Sequence, residues 1–515
     1  MSNLILFNAN ILTMDPIFPR AQFVAIQGNK ILSVSGGKEF HKLRKTNTQV
    51  IDCHGKTIVP GFIDAHCHLF SYAENLTTVS LDPRNKIHSI SDMRTKIQSF
   101  CQGLPPGTWI RGNAYNEFYF AEKRHPNRKD LDEATTIHPI KLTHRTGHAH
   151  VLNSLALKLV GITEDTPDPP GGLIDRDIHT GEPTGVLYGM SNYLAKIIPH
   201  IDKQQMEQGI KLVNQELLSF GITSIQDTTF RNDLGRWEMF GFWKDQGLLR
   251  SRVNMMLGIE GFKQFKKQPF SIHIDPNQLR LGGVKIIVHE ITGQLTPNQN
   301  ELNELVLQIH QSGFQSLLHA IEERTIEASC CAIEYALKAS PRSDHRHRIE
   351  HCAVCPPLLL KRLASLGIMV VTQPSFIYYN GNQYLKTVPS DQLNHLYPIA
   401  TLMKKGIKVA ASSDFPLAPP NPLIGIYSAV SRTAEMGNTI LPGEGITPFE
   451  ALQMYTQIAA EASFEDKIKG SIAPGKLADL VILSEDPTIL PANEIKNVKV
   501  EMTILNGEIV WDKIG

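Results

Sequence analysis

The sequence predicts an α/β chain: a (β/α)8 TIM-like barrel with an insertion, plus a small β-sandwich domain formed by both termini. Three observations predict it. Short strand signals crowd the two ends of the chain and are sparse between them. The middle alternates strand and helix patterns. Residues with metal-ligating side chains recur at the ends of successive strand segments.

The ends come first. Leu4-Ile5-Leu6-Phe7, Ala9 to Met14, and Phe23-Val24-Ala25-Ile26 read as strands, and Gln27-Gly28-Asn29-Lys30 turns the chain into Ile31-Leu32-Ser33-Val34. Val50-Ile51-Asp52 and Thr57-Ile58-Val59 add two more. These are too short to close a core alone. The partners lie at the other terminus, in Leu477 to Leu483 after Pro474-Gly475, and in Val498 to Leu505, which meets the type I′ turn pair Asn506-Gly507 before Glu508-Ile509-Val510-Trp511. The expected small domain is therefore 1–58 plus 470–515, with the barrel, 59–469, between its halves.

In the middle, strand candidates are Gly61–His68, Ile140–Thr143, Thr223–Asp227, Arg252–Leu257, Val284–Val288, Gln315–Ala320, His347–His351, Ile368–Thr372 and Val409–Ser413. Helical stretches separate them, including Gln204–Phe220, Glu301–Gln311, Glu323–Leu337 and Pro448–Ala462. Such alternation favours parallel β/α units. A doubly wound sheet is the competitor, weakened because no Gly-x-Gly-x-x-Gly follows the first strand. The stretch 70–220 exceeds one β/α unit and is rich in turns such as Pro167-Asp168-Pro169-Pro170-Gly171-Gly172. It reads as an insertion that shapes access to the barrel mouth.

Composition narrows the function class. Lys+Arg and Asp+Glu both number 51, so the formal net charge is zero. No basic stripe points to nucleic acid, which leaves a small molecule as the expected partner. The N-terminal residues lack a cationic region and cleavage site, and no apolar run approaches the roughly 20 residues that span a bilayer. Seven cysteines without regular spacing fit a reducing compartment. A cytoplasmic chain without a membrane partner is expected, and a homodimer is left open.

The chemistry-bearing residues sit where barrel strands end. His66 and His68 are two apart, so on a strand they point the same way and form half of a metal site. Lys285 lies in Gly283-Val284-Lys285-Ile286-Ile287. His319 ends Ser316-Leu317-Leu318-His319, His351 ends Arg348-Ile349-Glu350-His351, and Asp414 follows Ala410-Ala411-Ser412-Ser413. In a barrel these ends converge on one face. Each residue alone reads equally well as a satisfied polar group; the ordered set points to a metal. Cys67, between the histidines, falls on the opposite side of its strand and reads as core. Cys352-x-x-Cys355 is a single pair followed by Pro356-Pro357, a poor zinc or redox motif.

This set resembles the amidohydrolase superfamily of metal-dependent hydrolases, and within it the branch that includes N-substituted formamide deformylases. The resemblance covers essentially the whole chain. Val59 to His68 is similar to the family's first-strand motif, Ser412-Ser413-Asp414-Phe415-Pro416 to its last, and His319-Ala320-Ile321 and Ile349-Glu350-His351 to its middle histidine motifs. Gly147-His148 with Asn153-Ser154, and Ala473 to Val481, resemble branch-specific elements. The resemblance implies one or two zinc ions, with His66 and His68 on one and His319 and His351 on the other. It implies an N-carboxylated Lys285 bridging them; a free ammonium between two cations would be electrostatically prohibitive. Asp414 is implied as ligand and general base towards a metal-activated water. The implied reaction is hydrolysis of the C–N bond of an amide or N-substituted formamide. Ester cleavage, decarboxylation or isomerisation on the same scaffold are alternatives. A non-catalytic relative would have lost ligand positions, and all six are present.

One departure stands out. Relatives often carry Asp-Gly shortly after the lysine, whereas here the run is Lys285-Ile286-Ile287-Val288-His289-Glu290. His289 and Glu290 read either as specificity residues or as polar loop surface. The resemblance points to His148 as a group that polarises the substrate carbonyl, with a structural histidine as the plain reading. Trp109, Tyr115 and Asn116 lie where the family places substrate-facing groups, although aromatic residues there read equally as core or lid packing, and Gln373 follows the seventh barrel strand and is read as pocket-facing. Arg432 is read as structural.

Overall fold

The two ends of the chain share their sheets. The structure, a computed structural model, describes residues 3–37, 39–199, 201–270, 275–291 and 293–513. One sheet has the strand order Lys30–Ser35, Phe23–Gln27, Leu4–Phe7, Gln49–Asp52. The other has the order Glu508–Asp512, Val500–Leu505, Leu480–Leu483, Thr57–Pro60, Asn10–Leu12, Arg20–Ala21. Thr57–Pro60 pairs antiparallel with Leu480–Leu483, which joins the termini directly. Apolar residues from both sheets, among them Leu6, Val24, Ile58, Leu480 and Ile504, pack in one cluster, the removal of apolar surface from water that favours this pairing. Asn506 and Gly507 both have positive φ, as a type I′ hairpin turn requires.

Between the termini lies a sheet of eight strands: β1 (Phe62–Cys67), β2 (Ile222–Asp227), β3 (Arg252–Leu257), β4 (Leu279–Ile287), β5 (Ser316–Ala320), β6 (Arg348–His351), β7 (Met369–Thr372) and β8 (Val409–Ala411). Each strand runs parallel to its neighbours in this order. Beyond the end of β8, Asp414 N–H donates to the His66 carbonyl at 3.0 Å and His68 N–H to the Phe415 carbonyl at 3.0 Å, so the sheet nearly closes into a barrel. Strands buried on every residue, such as β1 and β3, read as continuous apolar-leaning runs because helices cover the outside.

Two sequence expectations change. Ile140–Thr143 forms a strand, Ile140–His144, outside the barrel: it pairs with Ile110–Tyr115 and, antiparallel, with Ala149–Leu152. Helix Pro448–Ala462 is two helices, Pro448–Met454 and Gln457–Glu461, because Thr456 adopts φ −132°, ψ −92°, outside the helical basin.

The chain divides into two compact units. One comprises Met1–His68 and Asn214–Gly515, the other Leu69–Val213. The second unit has its own sheet of six strands, in the order Leu173–Arg176, Pro183–Tyr188, Ala149–Leu152, Ile140–His144, Ile110–Tyr115, Val79–Ser80, over a core that includes Met93, Ile97, Leu142 and Val151. Among the described residues no helix is long and apolar enough to cross a membrane.

Candidate metal centre

The barrel's strand ends position the ligands. His66 sits on β1 and is 1 % exposed; His68 follows it and is half-buried. Lys285 on β4 is 2 % exposed, His351 closes β6, and Asp414 lies three residues past β8. His66 Nε2 is 3.6 Å from Asp414 Oδ1, His68 Nε2 is 3.1 Å from the same oxygen, and His351 Nδ1 is 3.8 Å from Oδ2. The ring centroids of His66 and His351 are 4.9 Å apart, and those of His319 and His351 4.4 Å. The structure thus brings five of the six expected positions into one cluster of rings and one carboxylate. The sixth, Lys285, is close enough for its charge to act on His66 and His351.

Two backbone features aim these side chains. His351 has φ 74° and Asp414 φ 57°, both in the left-handed region that costs a non-glycine residue free energy. On a regular strand Glu350 and His351 would face opposite sides; the left-handed residue breaks that alternation. Asp414 is held at its base by a turn: Ser413 N–H and Oγ–H donate to Asp64, at 3.1 Å to Oδ1 and 2.5 Å to Oδ2.

Electrostatics at the site favour bases and a cation-binding pocket. Burial, then the neighbouring Lys285, holds His66 well below the ordinary histidine range, so its ring is a neutral donor of a lone pair. Burial likewise brings Lys285 down to about 8, against the opposing pull of Glu350 and Asp414. Burial raises Asp64 to about 7, although Ser413 hydrogen bonds oppose it. Lys285 Nζ is buried without a hydrogen-bond partner, and Asp414 Oδ1 faces the ring nitrogens of His68 and His66 at 3.1 and 3.6 Å. Imidazole nitrogens gathered around one buried carboxylate fit a borderline-soft divalent cation. Among the described residues, His66, His351 and Asp414 are the one group whose ligand atoms converge within 4.8 Å.

A layer of partners behind the ligands has no motif of its own in the sequence. His66 Nδ1 contacts Glu350 Oε2, Glu350 Oε1 accepts from Arg348 Nε at 2.6 Å, and all three residues are buried. His351 Nδ1 meets Gln373 Oε1 at 2.9 Å, and Gln373 Nε2 donates to Ser412 Oγ at 3.0 Å. His68 Nδ1 meets Thr229 Oγ1 at 3.0 Å. Gln373, expected to face the pocket, is fully buried behind His351. Arg348 and Glu350, two apart on β6, share a strand face, the only sequence signal that could have paired them.

The other expected residues are dispersed. His289 and Glu290 start a short hairpin, His289–Ile291 against Gln294–Thr296, and Glu290 pairs with Arg324 at 2.7 Å. In the second unit, Tyr115 is fully buried in the core and its hydroxyl meets His125 Nδ1 at 3.0 Å. Trp109 packs against an apolar cluster, Asn116 is buried, and His148 is exposed. Cys67 is buried, its thiol against the Gln226 carbonyl at 3.5 Å, and none of the seven cysteines forms a disulfide. Arg432 is buried and donates to the Ile440 and Leu396 carbonyls.

Comparison with known proteins agrees with this picture. The signature of the amidohydrolase family matches residues 49–511. The chain is 28 % identical to N-substituted formamide deformylase of Arthrobacter pascens, over all of this chain and 99 % of that protein. It is 26 % identical to the putative amidohydrolase YtcJ of Bacillus subtilis, over 93 % of this chain and 94 % of that one. Among solved structures, an uncharacterized metal-dependent hydrolase from Pyrococcus horikoshii superposes with a TM-score of 0.76 at 21 % identity, covering 95 % of this chain and 99 % of that one. A counterpart from Pyrococcus furiosus gives 0.74 at 22 % identity, over 94 % and 99 %. The family signature spans the barrel and the strand-end cluster alike, and on that match the chain belongs to the amidohydrolase family, as a metal-dependent hydrolase of carbon–nitrogen bonds other than peptide bonds.

Proposed function

We propose that the protein is a zinc-dependent amidohydrolase that cleaves an amide or N-substituted formamide. The observation that supports this most is the convergence of His66, His68, His351 and Asp414 at the ends of β1, β6 and β8, with the His319 ring set edge-on to His351. The likeness to a formamide deformylase over the full chain favours the substrate class. His66 and His68 would hold one ion, and His319 and His351 a second. A buried amine brought down to about 8 has a larger neutral fraction near neutral pH, the form that reacts with carbon dioxide, which supports N-carboxylation of Lys285. Bound zinc would supply Lewis acidity and lower the pKa of water to about 7. Asp414 takes the proton of the attacking water and delivers it to the leaving amine. His289 and Glu290 stand where β4 gives way to its following loop and would read the substrate. The seven unpaired cysteines support a cytoplasmic setting.

The test is elemental analysis of the purified protein, followed by a panel of N-formyl amines, N-acyl amines, cyclic amides and esters. Bound zinc and release of formate or carboxylate with free amine are expected. Zinc-loaded protein that cleaves esters and no C–N bond would replace this substrate class.

A further inference from the structure

Three histidines of the cluster have three chemically different partners behind them. A carboxylate stands behind His66, an amide behind His351 and a hydroxyl behind His68. The first is the most elaborate. Glu350 and Arg348 are both fully buried, and besides its bond to Glu350 Arg348 is tied at three further points: it donates to Gln226 Oε1 at 2.6 Å, to the Ala65 carbonyl at 3.1 Å and to the Ala462 carbonyl at 3.2 Å. Gln226 lies on β2 and Ala65 on β1, so the guanidinium from β6 reaches across to strands on the far side of the sheet order. A buried ion pair costs desolvation and seldom adds stability over an apolar pair. Its placement against a ligand histidine gives it another use.

We propose that Glu350, clamped by Arg348, is the positioning residue that fixes His66 as the Nδ1–H tautomer with Nε2 aimed at Asp414, and that this carboxylate makes His66 the strongest metal-holding histidine of the cluster. This inference rests on the metal-binding reading above. An ionised carboxylate only accepts, so the ring nitrogen it meets must carry the proton, and Nε2 keeps its lone pair. The carboxylate also raises the donor strength of the imidazole. Gln373 can do the same for His351 with a neutral oxygen, and therefore more weakly. The Thr229 hydroxyl can donate or accept, so it leaves the His68 tautomer open. Arg348 donates to Glu350 Oε1 at 2.6 Å and locks its rotamer through a planar guanidinium held at several points.

The experiment measures zinc affinity directly, by competition with a chromophoric chelator, together with thermal unfolding of the metal-free protein. Glu350→Gln keeps the volume and removes the charge. Its zinc affinity is expected to fall about 10- to 100-fold, the usual cost of losing such a partner. Gln373→Leu and Thr229→Val are expected to lose less, in that order. Affinity within two-fold of the wild type in Glu350→Gln overturns the proposal, as does an equal loss in all three variants. If Glu350→Gln does not fold, the paired replacement Arg348→Met with Glu350→Leu removes both charges, and the same loss of zinc affinity is expected of it. A fall in unfolding temperature with zinc affinity unchanged would make the pair purely structural. Failure of the wild-type protein to bind zinc sinks the metal-binding reading instead, so the two failures are told apart.

Discussion

Two regions of the molecule gather histidines and carboxylates at the ends of parallel strands, and only one of them is built to hold a metal. In the barrel, ligand atoms of His66, His351 and Asp414 converge within 4.8 Å, His351 and Asp414 are held at positive φ, and Lys285 Nζ is buried without a hydrogen-bond partner. In the second unit, Tyr115 and His144 are register partners at the ends of parallel strands Ile110–Tyr115 and Ile140–His144, with Glu117 just beyond. There Glu117 Oε2 lies 3.0 Å from His144 Nε2 and 3.7 Å from His125 Nδ1, while His125 Nδ1 also meets the Tyr115 hydroxyl. Among the described residues the ligand-type atoms of this second cluster do not all come within 4.8 Å of one another, as those of the barrel do. Residue types are alike in the two places; what differs is whether the geometry leaves lone pairs aimed at a common point.

The largest effect should come from Asp414. Asp414→Asn is expected to lower kcat about 10²- to 10⁴-fold, the range of a general acid–base group, with zinc largely retained. Steady-state kinetics with metal analysis checks this, and wild-type turnover in the variant would remove Asp414 from the mechanism. Next, dialysis against a strong chelator should abolish activity and added zinc should restore it. His144→Ala in the second unit should leave the bound zinc unchanged, and a drop in zinc content there would erase the distinction between the two clusters. Third, intact-mass spectra recorded under native conditions should show one added carbon dioxide, lost in Lys285→Met together with a several-fold weaker hold on zinc.

The smallest effect concerns the second unit and pH. Burial acts to raise the Glu117 carboxyl, but the hydrogen bond and charge of His144 outweigh it and bring the group down to about 2. A carboxyl lowered in the folded state contributes stability above its unfolded value of about 4.3, and that contribution disappears as pH falls towards 2. Glu117→Gln should therefore unfold more readily at pH 6 and show a shallower loss of stability between pH 4.5 and pH 2, read by circular dichroism. An unchanged acid profile would assign that stability elsewhere.

Much of this arrangement was legible before any coordinates. His66-Cys67-His68, Lys285, His319, His351 and Asp414 stand out because a ligand needs a particular side chain, and strand periodicity says which neighbours share a face. The pairing of the termini was legible too, since neither end alone carries enough strands to bury its apolar faces. The Ile140 strand misled, because a short strand pattern such as Ile140-Lys141-Leu142-Thr143 names no sheet, and this one pairs within the second unit.

By itself, then, the sequence determined the kind of chemistry and the order in which histidines, a lysine and an aspartate come at successive strand ends, because both depend on local residue type and spacing. Only the tertiary structure decided what stands behind each histidine. Glu350 reaches His66 across 284 positions of sequence, Gln226 meets Arg348 across 122, and Gln373 turns out to lie behind His351. Contacts of that kind follow from closing a sheet into a barrel and leave no trace in spacing. The left-handed backbones of His351 and Asp414 belong with them, for a strained conformation persists only where the surrounding packing holds it.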